Sequence, residues 1–161
     1  MSEPIQKPGR SIQSVQTPRD LLDAVERRFG KIVLDLAASF ENAVCDTYID
    51  ETEDALADDT AWCDHNASGV GPGVRWLNCP FGNVAPWAKK AASVATADAP
   101  VLLLAPASIG SNWFRDHVHG QAMVLALNPR VTFQGHSHPF PKDLILCQYG
   151  RFRGFDVWKW R

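Results

Sequence analysis

The first part of the chain shows apolar residues at helical spacing. Apolar side chains recur from Leu21 to Phe29 at the spacing of one helix face, which predicts a helix. Thr17 is placed to cap this helix, and Pro18 suits its first position. Gly30 is placed to end it.

Uninterrupted apolar runs follow along the rest of the chain. A run without polar alternation is typical of a strand that is buried on both faces, as in a parallel sheet. We predict strands of this kind in residues 31–36, 74–77, 100–105 and 122–127, and closing strands in 143–149 and 155–160.

The segments between these runs return to helical spacing or to loop composition. Helices are predicted at 41–45, after Gly82 and around Trp113, and loops at 63–73 and 134–143. Strands that alternate with helices over short connections predict an α/β fold with a doubly wound, mostly parallel sheet. We assign residues 16–161 to this single domain. The Pro-, Ser- and Gln-rich residues 1–15 are predicted to form a flexible N-terminal tail.

Polar residues follow two of the predicted strands and identify the candidate site. Sheets of this type bind ligands at the carboxyl ends of their strands. One such end carries Asp35 to Ser39, and another carries Asn78, Cys79, Pro80 and Phe81. These two segments are therefore the first place to look for a ligand.

The Asn-Cys-Pro-Phe segment suits a planar group that bears an amine. The amide oxygen of Asn78 and a backbone carbonyl of Cys79 or Pro80 could accept the two amine hydrogens, and Phe81 could stack on the ring. Acceptance of both hydrogens favours a tetrahedral nitrogen with an available lone pair. The alternative is a strand that ends in a turn, with Asn78 as a cap and Phe81 in the core.

Composition and charge narrow the function further. The 161 residues include 16 basic and 18 acidic side chains, and this net charge of −2 excludes a polycationic coat for nucleic acid. No apolar run reaches the roughly 20 residues that span a membrane, and the first residues lack an apolar signal core. We therefore expect a soluble cytoplasmic protein without membrane partners.

The cysteines and histidines do not predict a metal site. Four cysteines occur without a CxxC pair, and we expect free thiols. Cys63 with His65, and His136 with His138, could each be half of a zinc site, but four ligands at known spacing do not assemble.

A series of short motifs in order resembles the phage-type DNA N-6-adenine methyltransferase (Dam) family. The resemblance covers most of the chain, from Thr17 to Trp160. Its most informative elements are Thr17-Pro18 with Leu21, Asp35-Leu36-Ala37-Ala38-Ser39, Trp76-Leu77-Asn78-Cys79-Pro80-Phe81-Gly82, Leu104-Ala105-Pro106-Ala107, Trp113-Phe114 and Arg130 with Phe133. One departure is Cys79, which stands where the family has its first proline.

The resemblance implies a Rossmann-like methyltransferase fold and S-adenosyl-L-methionine as methyl donor. Asp35, Ala37 and Ser39 would form the bend beneath the methionine part of the donor. Thr17 and Pro18 would flank the donor pocket. Asp50 or Asp54 would serve the donor's ribose or adenine.

The implied substrate is the N6 amine of adenine in double-stranded DNA, in host cytoplasm if a phage or prophage encodes the protein. The base would have to be flipped out of the duplex. Trp113 could line the pocket mouth, although core packing is the alternative, and Arg130, Arg151 and Arg153 could hold phosphates. The loops at 63–73 and 134–143 are the inserts available for base readout.

The sequence leaves three alternatives and the oligomeric state open. The chain could be a catalytically silent binding protein with a methyltransferase fold. It could also methylate an RNA adenine or a protein glutamine amide. With little chain left for a recognition domain, we expect a short or relaxed site, or help from a second subunit in a homodimer.

Overall fold

The structure is a computed structural model that describes residues 15–161. Its sheet contains the strands β1 (Ile32–Asp35), β2 (Val74–Leu77), β3 (Val101–Pro106), β4 (Ala122–Asn128), β5 (Leu144–Tyr149) and β6 (Gly154–Lys159). Its helices are α1 (Arg19–Phe29), α2 (His65–Ser68), α3 (Ala85–Val94) and α4 (Asn112–His117), with a single 3₁₀ turn at Phe81–Asn83.

The six strands form one sheet in the order β1-β2-β3-β5-β4-β6. β1, β2 and β3 are parallel neighbours, and β4 is parallel to β6. β5 lies between β3 and β4 and is antiparallel to both. We call the edge at which β1, β2 and β3 end the carboxyl edge, and the opposite edge, at which they begin, the amino edge.

Both faces of the sheet are covered by helices. One face of the sheet, which we call the α1 face, is covered by α1. There Leu21, Leu22 and Val25 pack with Trp76 and Leu102. Apolar residues of α3 and the segments around it cover the other face. This second cluster, which we call the α3-face cluster, includes Ala88, Ala91, Leu77, Leu103, Val124 and Cys147. The strands β2, β3 and β5 are buried along their whole length because both of their sides are covered, whereas the edge strand β6 is exposed at five of its six residues.

The structure confirms the α/β class and the mostly parallel sheet. All six predicted strands are present, and α1, α3 and α4 lie where helices were predicted. Gly30 ends α1 with φ +104° and donates its N–H to the carbonyl of Glu26. Of the predicted tail, residues 1–14 lie outside the described residues, and Val15 is half-buried against the α1 face.

Three local predictions are wrong. Pro18 rather than Thr17 occupies the cap position of α1, without a side-chain cap. Residues 41–45 form turns instead of a helix, because Ser39 and Asn42 make a local turn in which the Ser39 N–H donates to Asn42 Oδ1 at 2.6 Å. The predicted loop at 63–73 contains α2, which Asp64 caps by accepting from the N–H groups of Asn66 and Ala67.

A buried arginine holds the segment at 62–73 from inside. The Arg75 side chain is fully buried at the start of β2. Its guanidinium donates to the carbonyls of Trp62 at 2.9 Å, Gly71 at 2.8 Å, Gly73 at 2.9 Å and Val70 at 3.1 Å. Four carbonyls therefore satisfy this cation in place of a carboxylate.

Candidate active site

Asn78 lies one residue beyond β2, at the carboxyl edge. Its side chain is half-buried, and its Nδ2 donates to Thr17 Oγ1 at 3.3 Å. Thr17 is buried and lies two residues before α1. This bond fixes the orientation of the amide, with its nitrogen toward Thr17 and its oxygen Oδ1 left as an acceptor.

The two residues after Asn78 differ in what their carbonyls can do. The carbonyl of Pro80 accepts the N–H of Asn83 at 3.2 Å within the 3₁₀ turn. Within residues 15–161 no such bond is made to the carbonyl of Cys79, which therefore remains available to a ligand. The Cys79 side chain is buried in the α3-face cluster with Cys147, away from the Asn78 side chain. Burial raises the pKa of the Cys79 thiol to about 12, so the thiol is neutral.

Phe81 belongs to a group of three aromatic rings on the α1 face. Its ring centroid lies 5.6 Å from that of Phe140, edge to face, and 6.5 Å from that of Phe133. Phe133 and Phe140 are themselves 5.7 Å apart, edge to face. The half-buried Phe81 ring is thus positioned by two partners from the 129–143 connection. The Gln134 N–H also donates to the Gln16 carbonyl at 3.1 Å, which joins this connection to the segment that holds Thr17.

Asp35 ends β1 beside β2, where it pairs in register with Trp76. Its carboxylate is 3% exposed and accepts from the N–H groups of Ala37 at 3.3 Å and Val44 at 3.1 Å. Burial raises the pKa of the Asp35 carboxyl to about 6, against the opposing effect of these two bonds. Among residues 15–161 this carboxylate has no cationic partner, and a buried carboxylate of that kind suits a ligand that brings a positive charge.

The two acids considered for the donor lie in different surroundings. A short parallel bridge joins Tyr48 to Asp35, and the Ala38 N–H donates to the Ile49 carbonyl at 3.1 Å. Asp50 follows this bridge directly, half-buried at the carboxyl edge. Hydrogen bonds from Thr52 hold the pKa of its carboxyl below the ordinary value. Asp54 is exposed in a turn at φ +46°. Asp50 is therefore the better placed of the two.

A lysine anchors the acidic segment that carries both acids. Lys90 of α3 donates through Nζ to the carbonyls of Ala55 at 2.8 Å, Ala57 at 2.7 Å and Thr60 at 2.8 Å. Its ammonium also lies 5.0 Å from the Trp62 ring centroid. Burial lowers the pKa of Lys90. Sequence analysis did not identify this role, because a lone lysine on a helix carries no signal for carbonyl partners distant in sequence.

The small residues of the predicted donor bend flank Asp35. Ala37 and Ser39 are both half-buried, and the segment turns at Ser39. The carbonyl of Ser39 accepts the N–H groups of Asn42 at 3.2 Å and Ala43 at 3.0 Å. Pro18 is half-buried next to Thr17. The structure therefore brings these predicted residues to one edge, together with Asp35, Asn78 and Phe81.

The residues predicted to contact DNA are not brought together. Arg130 follows β4 at the carboxyl edge, where its Nε donates to Asp143 Oδ1 at 2.8 Å. It lines a shallow depression of about 320 Å³ with Pro106 and Ser108. Trp113 is half-buried against the α3-face cluster, on the other face of the sheet from Phe81.

Arg151 and Arg153 lie at the opposite edge. They occupy the turn between β5 and β6, and β5 ends at Tyr149, which pairs with Val101 at the start of β3. The sequence could not reveal this separation, because a buried strand has the same apolar pattern whether it is parallel or antiparallel to its neighbours.

Phe133 and Phe140 were not predicted as partners of Phe81. Phe133 entered the sequence analysis only as part of a motif, and Phe140 lies in a predicted loop. An apolar ring within a His- and Pro-rich loop is the signal that could have identified Phe140 as buried.

The described residues place some limits on other sites. Within 15–161, no three His, Cys, Asp or Glu side chains gather as a metal site would require. The four cysteines are free. No helix in this part of the chain has the length and apolar character needed to cross a membrane.

Fold and site together define an α/β protein whose candidate ligand site lies at the carboxyl edge of a mostly parallel sheet. A model of the family described as "DNA N-6-adenine-methyltransferase (Dam)" matches residues 7–143, and the chain belongs to that family. A protein of Escherichia phage T1 named "DNA N-6-adenine-methyltransferase" is 28% identical over 116 residues, which is 72% of this chain. The chain spans 45% of the length of that relative. No solved structure matches the chain.

Proposed function

We propose that this protein transfers a methyl group from S-adenosyl-L-methionine to the N6 amine of adenine in double-stranded DNA. The observation that carries the proposal is the Asn78 side chain, whose Nδ2 donates to Thr17 Oγ1 and so leaves Oδ1 as the acceptor. Membership of the Dam family and the name of the phage T1 relative support the same chemistry.

Asn78 and Cys79 would hold the amine. The two N–H groups of the adenine amine would donate to Asn78 Oδ1 and to the carbonyl of Cys79, which leaves the nitrogen lone pair free to attack. The new N–C bond forms as the methyl–sulfur bond breaks, and the proton of the methylated amine then leaves to solvent. Because Pro80 has no N–H and its carbonyl is used by Asn83, the Cys79 carbonyl is the better acceptor.

Phe81 would stack on the flipped base. Its ring is fixed on one side by Phe133 and Phe140, so little side-chain freedom is lost when a base stacks on it. Base–aromatic stacking contributes about 1–3 kcal/mol in comparable sites, which offsets part of the few kcal/mol that flipping costs.

The residues at the end of β1 fit the methyl donor. The donor supplies an electrophilic methyl group on a sulfonium sulfur and also carries an ammonium group. Asp35 offers a buried carboxylate that no cation of residues 15–161 pairs with. The small side chains of Ala37 and Ser39 would let the donor approach the backbone closely. Asp50 would accept from the hydroxyl groups of the donor's ribose, with Thr17 and Pro18 at the other side of the pocket.

The fold supports a Rossmann-like methyltransferase. A parallel sheet covered on both faces, with acidic and amide side chains at the carboxyl edge, is the arrangement in which this class binds its ligands. Arg130 is at the same edge and would contact a phosphate of the target DNA. If a phage or prophage encodes the protein, it would act on DNA in the host cytoplasm.

The test is transfer of labelled methyl groups from the donor to an adenine-containing duplex. We expect label in N6-methyladenine for the wild-type protein, and a rate at least 100-fold lower for Asn78→Ala with donor affinity retained. Label in RNA or in protein glutamine, but not in DNA, would show that the methyl acceptor is not DNA adenine and would contradict the proposal. Donor binding without transfer to any acceptor would identify a catalytically silent protein.

A further inference from the structure

The exposed arginines of the described chain fall into two groups of four. Arg19, Arg115, Arg130 and Arg161 each form an ion pair with a carboxylate. Arg27, Arg28, Arg151 and Arg153 are exposed and make no ion pair with residues 15–161. Sequence composition gives no reason for this division, but position in the fold does.

All four unpaired arginines lie at the amino edge. Arg27 and Arg28 are in the last turn of α1, and Arg151 and Arg153 are in the turn between β5 and β6. Lys31, also exposed, precedes β1 at the same edge. We call Arg27, Arg28, Lys31, Arg151 and Arg153 the amino-edge basic surface.

Two of these cations are held in place without being neutralised. Arg151 donates through Nε to the Ala97 carbonyl at 2.9 Å and through a terminal nitrogen to the Phe29 carbonyl at 3.3 Å. The Arg28 guanidinium lies 5.0 Å from the Trp158 ring centroid and 5.4 Å from that of Phe29. Carbonyls and rings fix a guanidinium but leave its full charge, so the positive potential of this surface persists.

Few acids oppose this charge. Glu26 is occupied, since it accepts the Ile32 N–H at 3.1 Å and pairs with Arg19 at 3.6 Å. Asp98 is exposed in the connection before β3, and Asp156 is exposed on β6. Five cations against these three acids leave the surface net positive.

An exposed aromatic ring lies within the surface. Phe152 stands between Arg151 and Arg153 and is 71% exposed. A ring flanked by two guanidinium groups suits the sugar–phosphate backbone, where apolar sugar faces alternate with phosphates. A small anion would need only the arginines and would leave the Phe152 ring without a contact, so the ring favours the DNA backbone as ligand.

We propose that the amino-edge basic surface binds a second segment of duplex DNA through its phosphates. The proposal rests on the proposed function for the identity of the polyanion. The candidate active site lies at the carboxyl edge, about 20 Å away along the six residues of β3. Because the two edges face in opposite directions, one straight duplex cannot contact both. The second segment tethers the protein to long DNA while the carboxyl edge takes the target base.

Charge reversal at two positions tests the proposal. The double variant Arg27→Glu with Arg153→Glu removes two cations that make no ion pair with any residue of the described part of the chain. The matched control is Lys89→Glu with Arg115→Glu, which makes the same change of charge on α3 and α4. Binding of a 16-base-pair duplex is measured by fluorescence titration without donor, at several salt concentrations.

We expect two duplexes bound per wild-type and control protein at low salt, and one per double variant. At salt concentrations where the wild-type protein still binds two duplexes, the double variant should bind only one. Methyl transfer to DNA of several kilobase pairs should show a KM raised about tenfold, with transfer to the short duplex within twofold of wild type.

Several results overturn the proposal. One duplex per wild-type protein, or two per double variant, excludes a second DNA segment. If the double variant loses the same activity on short and long DNA, Arg27 and Arg153 contact the duplex segment that holds the target base, and not a second segment. Binding to anionic phospholipid vesicles that the double variant loses, without any change in DNA binding, assigns the surface to a membrane. If transfer is never detected but the stoichiometry changes as expected, the proposed function fails and this inference stands.

Discussion

The amide nitrogen of Asn78 donates to the hydroxyl of Thr17 across 61 positions of sequence, at 3.3 Å. An unanchored asparagine amide can present either its oxygen or its nitrogen to a ligand. With the nitrogen engaged by Thr17, only the oxygen is presented, which is the atom that must accept a hydrogen from an amine. The prediction that Thr17 caps α1 is wrong, and this bond indicates instead that Thr17 is a positioning residue for Asn78.

Thr17→Val should lower kcat for methyl transfer about tenfold, or about 1.4 kcal/mol, with a smaller effect on KM for DNA. Valine matches the shape of threonine but cannot accept the Asn78 N–H, so the amide is free to turn. Steady-state kinetics on a short duplex measure both constants. Thr17→Ser keeps the hydroxyl and should restore kcat to within about twofold. Equal rates for the Val and Ser variants would contradict this role.

Cys79→Ala should leave kcat within about twofold of wild type. The proposal uses only the backbone carbonyl of Cys79, and its thiol is buried in the α3-face cluster. Loss of the buried sulfur should lower the free energy of unfolding by about 1 kcal/mol. Thermal unfolding and initial rates check the two effects separately. A large drop in kcat at unchanged stability would show that the thiol participates.

Asp35→Asn should stabilise the free protein and weaken donor binding. Because the folded-state pKa of Asp35 is raised to about 6, its contribution to stability is present below pH 4 and lost as the pH rises through 6. The side chain of the variant never ionises, so its free energy of unfolding above pH 6 should be higher than that of the wild type. The net gain should be about 1–2 kcal/mol, because the asparagine accepts one hydrogen bond fewer than the carboxylate. This gain should vanish below pH 4.

Denaturant unfolding at pH 4 and pH 8, with donor titrations of both proteins, tests the role of Asp35. In the wild-type protein, donor affinity should fall as the pH drops below about 6 and the carboxyl gains its proton. A stability difference that does not change between the two pH values would be evidence against a buried, unpaired carboxylate.

Lys90→Met should destabilise the protein by about 2–3 kcal/mol, because three backbone carbonyls lose their charged donor. The acidic segment that carries Asp50 and Asp54 should loosen, and donor affinity should fall with it. Hydrogen exchange of residues 50–60 and donor titration are the measurements. Lys89→Met on the same helix is the control, since Lys89 is exposed, and it should change neither quantity.

Gly150→Ala should destabilise the protein by about 3 kcal/mol. Gly150 has φ +97°, and a Cβ there would lie 2.4 Å from the backbone carbonyl oxygen of Thr96. Gly110→Ala is the control, since a Cβ at that position meets nothing within 4 Å. Thermal unfolding of both variants gives the comparison. Similar unfolding temperatures for the two would show that the turn before Arg151 adapts.

The strands could be predicted because burial on two faces gives an unmistakable run of apolar residues. The position of Asn78 followed from the end of such a run. The direction of β5 could not be predicted, and with it the placement of Arg151 and Arg153 at the amino edge, because apolar runs carry no information on strand direction. The turn at 39–45 was missed because Ser39 and Asn42 compete with helical hydrogen bonds through local contacts.

The partners of the site residues were the least predictable part. Thr17 and Asn78 are joined by tertiary structure alone, and the same holds for Phe81 with Phe140. No local pattern marks such pairs, since each residue also satisfies an ordinary structural role. The sequence gives no preference between Asp50 and Asp54 or between the carbonyls of Cys79 and Pro80, and the proposal prefers Asp50 and Cys79 from their surroundings in the fold.

The buried guanidinium of Arg75 prearranges the 62–73 segment, which leads into β2 at the amino edge, opposite the candidate active site. Four carbonyls of this segment are fixed by one cation, so His65 and Asn66 stand on a prearranged surface. Docking of any partner against that surface would bury area without ordering the backbone that these carbonyls already fix. Its heat-capacity change would then be that of two rigid bodies, smaller than the change that accompanies folding on binding.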